Sequence, residues 1–123
     1  MTGAVPADVI VGHRPQGRGY VMLEDTGMSP WPPLLPGQSA ARAAGAATPV
    51  HEFHYGRLEN LPSDLSYGYR VLRGVGIDGH HDGIVIANLV AGFAHHRNTK
   101  ANPWVERFVK FVRETNYQAD RLH

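Results

Sequence analysis

The side chains of this chain best suited to moving a proton near neutral pH are its histidines, and six of the eight stand close together in twos. His51 and His54 flank Glu52 and Phe53, His80 adjoins His81, and His95 adjoins His96. An imidazole can act as general base, general acid or metal ligand. A metal centre would need rings converging from the turns that carry His80-His81 and His95-His96. Adjacent residues of an extended chain point to opposite faces, and no thiolate or third ligand stands at a tidy spacing, so the pattern argues against one. His51 and His54, three apart on a strand, also face opposite ways, which predicts one packed and one exposed. Their HEFH lacks the four-residue histidine spacing of the helical HExxH zinc motif. Glu52 and Glu59 read as solvated or ion-paired carboxylates, and Asp78 and Asp82 as residues shaping a glycine turn. Trp31, among prolines, reads as an anchor holding a loop to the core, with stacking on a flat ligand as its second reading. On residue type alone His95 is a strand-end histidine of structural or surface character.

Composition narrows the chemistry further. The chain has no cysteine, so it offers no disulfide, thiolate metal site or thiol nucleophile of its own. The absence of cysteine, and of a basic stretch followed by an apolar run near Met1, fits a cytoplasmic protein. No apolar stretch approaches the roughly 20 residues of a membrane helix. A formal charge of +1 with scattered Lys and Arg gives no basic patch for nucleic acid or a membrane surface. No GxxxxGK[ST] loop is present for a nucleotide. The balance of 42% hydrophobic and 19% charged residues over 123 positions is that of one globular domain, 1–123.

Strands must position most of these residues. Val9–Val11 and Tyr20–Leu23 read as strands bracketing a turn at Arg14–Gly17. Thr26–Pro49 reads as a long Pro/Gly/Ala-rich loop within the domain, whose prolines at 30, 32, 33 and 36 forbid regular structure. Its Ser39–Ala47 part could form a helical turn or two capped by Ser39. Val50–Tyr55 and Tyr67–Arg73 read as strands separated by a polar turn at Asn60–Asp64. A glycine-rich turn, Gly74–Gly83, leads into a strand at Ile84–Ala87, and Leu89–Phe93 continues it or starts another. After a loop at Asn98–Asn102, Asn102 and Pro103 predict the start of a helix. Trp104, Phe108 and Phe111 give it an apolar stripe that reads as core, with Glu106 and Lys110 on the wet face and an end near Thr115-Asn116. One such helix covers one sheet face, so the chain reads as part of something larger.

Three stretches carry a resemblance. Gly17-Arg18-Gly19-Tyr20-Val21, His51-Glu52-Phe53-His54-Tyr55-Gly56 and Asn88-Leu89-Val90-Ala91-Gly92-Phe93-Ala94-His95-His96 resemble, in order and spacing, the glutaminase domain of cobyrinic acid a,c-diamide synthases and related siroheme amidases. The second is similar to that family's HEFHYS segment, with Gly56 where serine is usual. The third is similar to its NxxASYxHxH segment, with Phe93 for the tyrosine and Arg97 where a second histidine is expected. In the broader class I group an acid stands there to orient the base, and an arginine cannot accept the imidazole proton.

The resemblance implies the fold class: an α/β, class I glutamine amidotransferase-like (flavodoxin-like) domain, of which this chain is the β-rich C-terminal portion, closed by an amphipathic helix. It implies that His95 is the catalytic histidine activating a cysteine that attacks the side-chain amide of glutamine. The ammonia released would pass to a tetrapyrrole carboxylate activated by ATP and Mg in the full-length family enzyme, while this chain itself holds no cofactor. The partner it implies is the missing N-terminal half, with self-association as the other way to cover the open face. Two readings of another kind stand beside it: a non-catalytic remnant or partner module docking on that half, and a small His-rich binding protein.

Overall fold

The computed structural model describes residues 4–31, 47–99 and 103–121. Among the described residues seven strands precede one helix: β1 (Asp8–Val11), β2 (Gly17–Asp25), β3 (Ala47–His54), β4 (Gly56–Glu59), β5 (Ser66–Arg73), β6 (His81–Ile86), β7 (Leu89–Ala91) and α1 (Trp104–Arg121). β1 and β4 form an antiparallel ribbon, and the other strands form an antiparallel sheet in the order β3-β2-β5-β6-β7. The described chain is thus β-rich with a single C-terminal helix, and every pairing among its named strands is antiparallel.

The sheet cannot be flat. His51 of β3 and His95 exchange backbone hydrogen bonds in both directions, 2.7 Å and 3.4 Å. The chain from Ala91 to His95 reaches at most about 14 Å when extended, whereas β3 and β7 in a flat sheet would lie about 19 Å apart. The sheet therefore curls until the residues after β7 meet the free edge of β3.

Alternation explains which side chains fill the curl. Val21 and Leu23 of β2, Val50 of β3 and Tyr69 of β5 point inward and form the core cluster, with Ile77 and Ile84 also buried. Tyr20, one residue from Val21, is 80% exposed.

Several boundaries differ from the sequence reading. Val9–Val11 and Tyr20–Leu23 are strands but not neighbours, because β1 pairs with β4, which lies between the strand expected to end at Tyr55 and the turn expected at Asn60–Asp64. Pro49 lies inside β3 opposite Met22, and the edge position tolerates a missing donor. Leu89 starts a new strand, since Ala87, at φ 51°, turns the chain back on β6. The helix runs past Asn116 to Arg121. Its stripe is not simply core: Phe108 is 40% exposed, and Val105, Val109 and Val112 are also exposed. The helix is held instead by Arg107, which donates to the Trp31 carbonyl at 2.7 Å, and by Phe108 against the Trp31 ring at 5.1 Å. Trp31 thus anchors its loop to the helix. The helical turns read at Ser39–Ala47 fall at 39–46 outside the described residues, as does the Asn102 cap. Among the described residues no helix is long and apolar enough to cross a membrane.

Leu23 is fully buried in the core cluster. Leu23→Ala should therefore lower the unfolding free energy by about 2–5 kcal/mol in urea titrations. Leu72→Ala, at a half-exposed position, should change it by less than about 1 kcal/mol.

Candidate functional site

The HEFH segment is read by the pleat of β3 into two faces. Glu52 and His54 point inward and are buried, whereas His51 and Phe53 point outward. This is the packed-and-exposed division of His51 and His54 that their spacing predicts. Glu52, however, is not solvated. Its carboxylate accepts the N–H of Val75 at 2.8 Å and the N–H of Gly76 at 2.9 Å, and it is hydrogen-bonded with His54 Nε2 at 3.0 Å. The other ring nitrogen of His54 lies 2.9 Å from the Gly56 carbonyl, which can only accept. Burial alone would push Glu52 up, but the bonds from His54, Gly76 and Val75 outweigh it and hold the carboxyl below its ordinary value.

Gly17 crosses directly over this pair. A Cβ there would collide with His54 Nε2 and lie 2.7 Å from the Glu52 carboxylate, so the close approach requires glycine.

His54 passes the constraint to the other end of the chain. Its ring stacks on Phe93 at 4.1 Å and 6°. The Phe93 and Ala94 amides donate at 2.9 Å and 3.1 Å to the two oxygens of Asp82, which is 1% exposed. Gly92 leaves room for that carboxylate, since a Cβ there would lie 2.7 Å from it. Asp82 is therefore no surface turn-former: it is a buried clamp on the segment before His95. The turn is shaped by Asp78, which accepts the amides of His80 and His81 and pairs with the His81 ring at 2.9 Å. Burial pushes Asp82 up despite these bonds, and it pulls His96 down despite the nearby Asp82 charge.

His95 and His96 consequently face opposite sides. His95 is exposed, with its ring 6.3 Å from that of His51. Tyr20 meets His51 edge-on at 5.9 Å. Tyr20, His51 and His95 are direct cross-strand partners, so they form one row on the outer face. His96 turns inward against Tyr69, 4.9 Å between rings. His80 and His81 lie apart from both, with His81 stacked on Tyr67 at 4.6 Å. Glu59 is exposed and paired with Arg57 at 2.8 Å. Among the described residues no group of three His, Asp or Glu could hold a metal ion.

Sequence reasoning singled out His95 and missed its supports. Glu52 and His54, two apart on a strand, share a face, and that spacing could have revealed the pair. Nothing local links Asp82 to residues 93 and 94, or Gly17 to His54.

No family model matches the chain, and no solved structure does. A Magnetococcus marinus protein named cobyrinate a,c-diamide synthase is 35% identical over 114 residues, covering 93% of this chain and 22% of that protein. Proteins of the same name from Haloarcula marismortui and Archaeoglobus fulgidus are 34% and 30% identical, covering 77% and 89% of this chain and 19% and 22% of their own length. The chain spans about a fifth of the length of these curated relatives and matches their C-terminal part.

The Glu52 shift has a pH signature. Its folded value lies below the ordinary 4.5, so its stabilisation is complete above that value and is lost as pH falls through the folded one. Asp82, raised on folding, acts oppositely and weighs against the fold as pH rises through its folded value. Glu52→Gln should cost about 3 kcal/mol at neutral pH by taking a buried carboxylate away from the Val75 and Gly76 amides and the His54 ring, and it should flatten the acid limb of stability. Urea unfolding between pH 7 and 3 tests both; an acid limb as steep in the variant as in the parent would show that Glu52 is not its source.

Proposed function

We propose, from the premise that this chain belongs to the cobyrinate a,c-diamide synthase family, that it is the histidine-bearing part of a glutaminase site and that His95 is the base. The single observation that carries this reading is the placement of His95. It is exposed on the outer face, beside His51 and Tyr20, while Asp82, the Phe93–His54 stack and the His51 backbone hold its segment in register. A base that must meet a nucleophile from elsewhere needs this combination of fixed backbone and open approach.

In this reading a cysteine from the remaining four-fifths of the family's length supplies the nucleophile. His95 takes the thiol proton, and the thiolate attacks the amide carbon of glutamine. The oxyanion collapses with protonation of the leaving nitrogen by His95, giving ammonia and a thioester. Water then releases glutamate and restores the thiol. Arg97 cannot take the part of an orienting acid. The ring beside His95 on the same face is that of His51, whose neutral form has an accepting nitrogen.

The outer face is also the proposed seat of that missing part. Arg18 lies over Phe53 at 6.0 Å, Phe53 meets Tyr55 at 5.6 Å, and Tyr20, Phe53 and Tyr55 are all exposed beside the histidine row. Such a patch is more apolar than a lone surface favours, and a second copy of the chain is its other possible occupant. The family-type fold, an amidotransferase-like α/β domain, would then be completed by the partner. ATP and Mg are assigned to the partner, along with activation of the tetrapyrrole carboxylate, because this chain carries no GxxxxGK[ST] phosphate loop. The relatives' name favours cobyrinate over siroheme as acceptor.

The chain alone should show no glutamine turnover. Mixed with a Magnetococcus marinus relative cut before its C-terminal fifth, it should restore glutamine-dependent amidation. His95→Ala should then lower that rate by three orders of magnitude or more, on the order of the loss when a triad base is removed, while free ammonia should largely bypass the loss. His96→Ala should do much less to glutamine use. Sensitivity at His96 alone would shift the assigned base by one position, and indifference at both would favour a docking module over a catalytic one.

A further inference from the structure

A base at His95 needs more than an open approach. An imidazole that takes a thiol proton must offer the thiol a bare nitrogen, and the hydrogen bond made by its other nitrogen decides which of the two is bare. The two carboxylates tied to this part of the chain are occupied in the interior. Glu52 is buried against the Val75 and Gly76 amides, and Asp82 against those of Phe93 and Ala94. Arg97, two residues beyond His95, is a donor only.

The register supplies a different group. His51 and His95 exchange backbone hydrogen bonds in both directions, at 2.7 Å and 3.4 Å. Partners of that kind keep their Cα atoms about 5.5 Å apart and their side chains on one face. Their rings are accordingly close, 6.3 Å between centroids and tilted by 50°. Tyr20 meets His51 edge-on at 86°, so the His51 ring stands between two others in the row. At this spacing the facing ring nitrogens are at least about 4 Å apart, too far for a direct hydrogen bond and within the span of one water. We infer that His51 is the positioning residue for His95: its bare nitrogen accepts, through one bridging water, the N–H of the His95 ring, which leaves the opposite nitrogen of His95 bare for the thiol. No proton crosses this bridge. When His95 takes the thiol proton, the bridge holds the imidazolium in the same orientation. The inference rests on the reading of His95 as the base, and it puts on β3 the acceptor that Arg97 cannot provide.

Two substitutions separate this role from simple packing, because the two roles predict opposite orders. His51→Phe keeps an aromatic ring beside Tyr20 and removes the acceptor, whereas His51→Gln removes the ring and keeps an accepting carbonyl. In the mixture of this chain with the truncated relative, His51→Phe should lower kcat for glutamine at least about tenfold, with KM within about twofold. His51→Gln should keep most of the parent rate, and a packing role would reverse that order. The chain alone gives a second readout that requires no turnover. With ¹⁵N-labelled histidine at alkaline pH, the ring nitrogens of His95 should report one dominant tautomer in the parent and in His51→Gln, and a shifted balance in His51→Phe. His95 ring shifts that agree between the parent and His51→Phe, or full glutamine turnover by His51→Phe, would overturn the positioning role. An inactive His95→Ala beside that result would leave the base assignment standing. A His95→Ala as active as the parent would remove the base assignment and the positioning role together.

Discussion

Two buried carboxylates organise this structure. Glu52 and Asp82 are almost completely removed from solvent, and an ionised group there is tolerated only if hydrogen bonds replace its water. In both cases the replacements come from distant backbone: Val75 and Gly76 for Glu52, Phe93 and Ala94 for Asp82. Each carboxylate therefore works as a tie between segments that the strand ladder alone leaves unconnected. Glu52 joins β3 to the turn after β5. Asp82 joins β6 to the segment that returns to β3. The glycines at 17 and 92 follow from the same requirement, since each lies where a side chain would occupy the space of one of these groups. The carboxylates respond oppositely to burial. Glu52 has the His54 ring hydrogen-bonded to it as well as two amides and is held low, whereas Asp82 has amides and a histidine whose own burial disfavours its charge.

The ties set the chemistry through register. Side chains on an extended chain alternate with a period of two, so a slip of one residue exchanges every inner group for an outer one. Phe93 stacked on His54 and the reciprocal bridge between His51 and His95 leave one register available. That register sends His95 outward and His96 inward against Tyr69. Two adjacent residues of the same type thus acquire different surroundings: one ring beside open solvent, the other against an aromatic ring and near a buried acid. Alternation separates them, and the buried acid keeps the separation fixed.

Much of this was legible in the chain and some was not. The strands around Val21, Val50 and Tyr69, the turn within residues 83–94 and the C-terminal helix follow from alternation and helical spacing, which are local signals. So does the opposed orientation of His51 and His54. The pairing of β1 with β4 and the closure of the sheet through His95 depend on contacts across 40 or more residues, for which no single segment carries a pattern. Asp82 shows the difference well. Beside Gly79 and Gly83 its composition reads as a turn, and only the return of residues 93 and 94 makes it a buried clamp. Trp104, Phe108 and Phe111 mislead in another way. Their spacing is that of a buried stripe, yet Phe108 and the valines beside it remain substantially exposed. Helical spacing predicts which face is apolar, and what covers that face is set by the rest of the protein.

That last point bears on how the chain holds together. Among the described residues, six large apolar side chains are buried and fourteen stand exposed. A core this small contributes little beyond the entropy it must overcome, so the polar ties carry an unusual share of the specificity. Their strength comes from geometry rather than area, and geometry of that kind resists small displacements. The segment 92–96 is where this matters most. It is clamped by Asp82, stacked against His54 and paired with His51, so the outer histidine and the inner one belong to one rigid piece of backbone. A protein that closes over His95 from outside meets a surface already fixed before it arrives. Preorganisation of that sort lowers the ordering cost of that event. It also leaves the chain's exposed apolar surface, on the outer sheet face and along the helix, as the larger unsettled quantity in its energetics, one that further protein surface is best suited to bury.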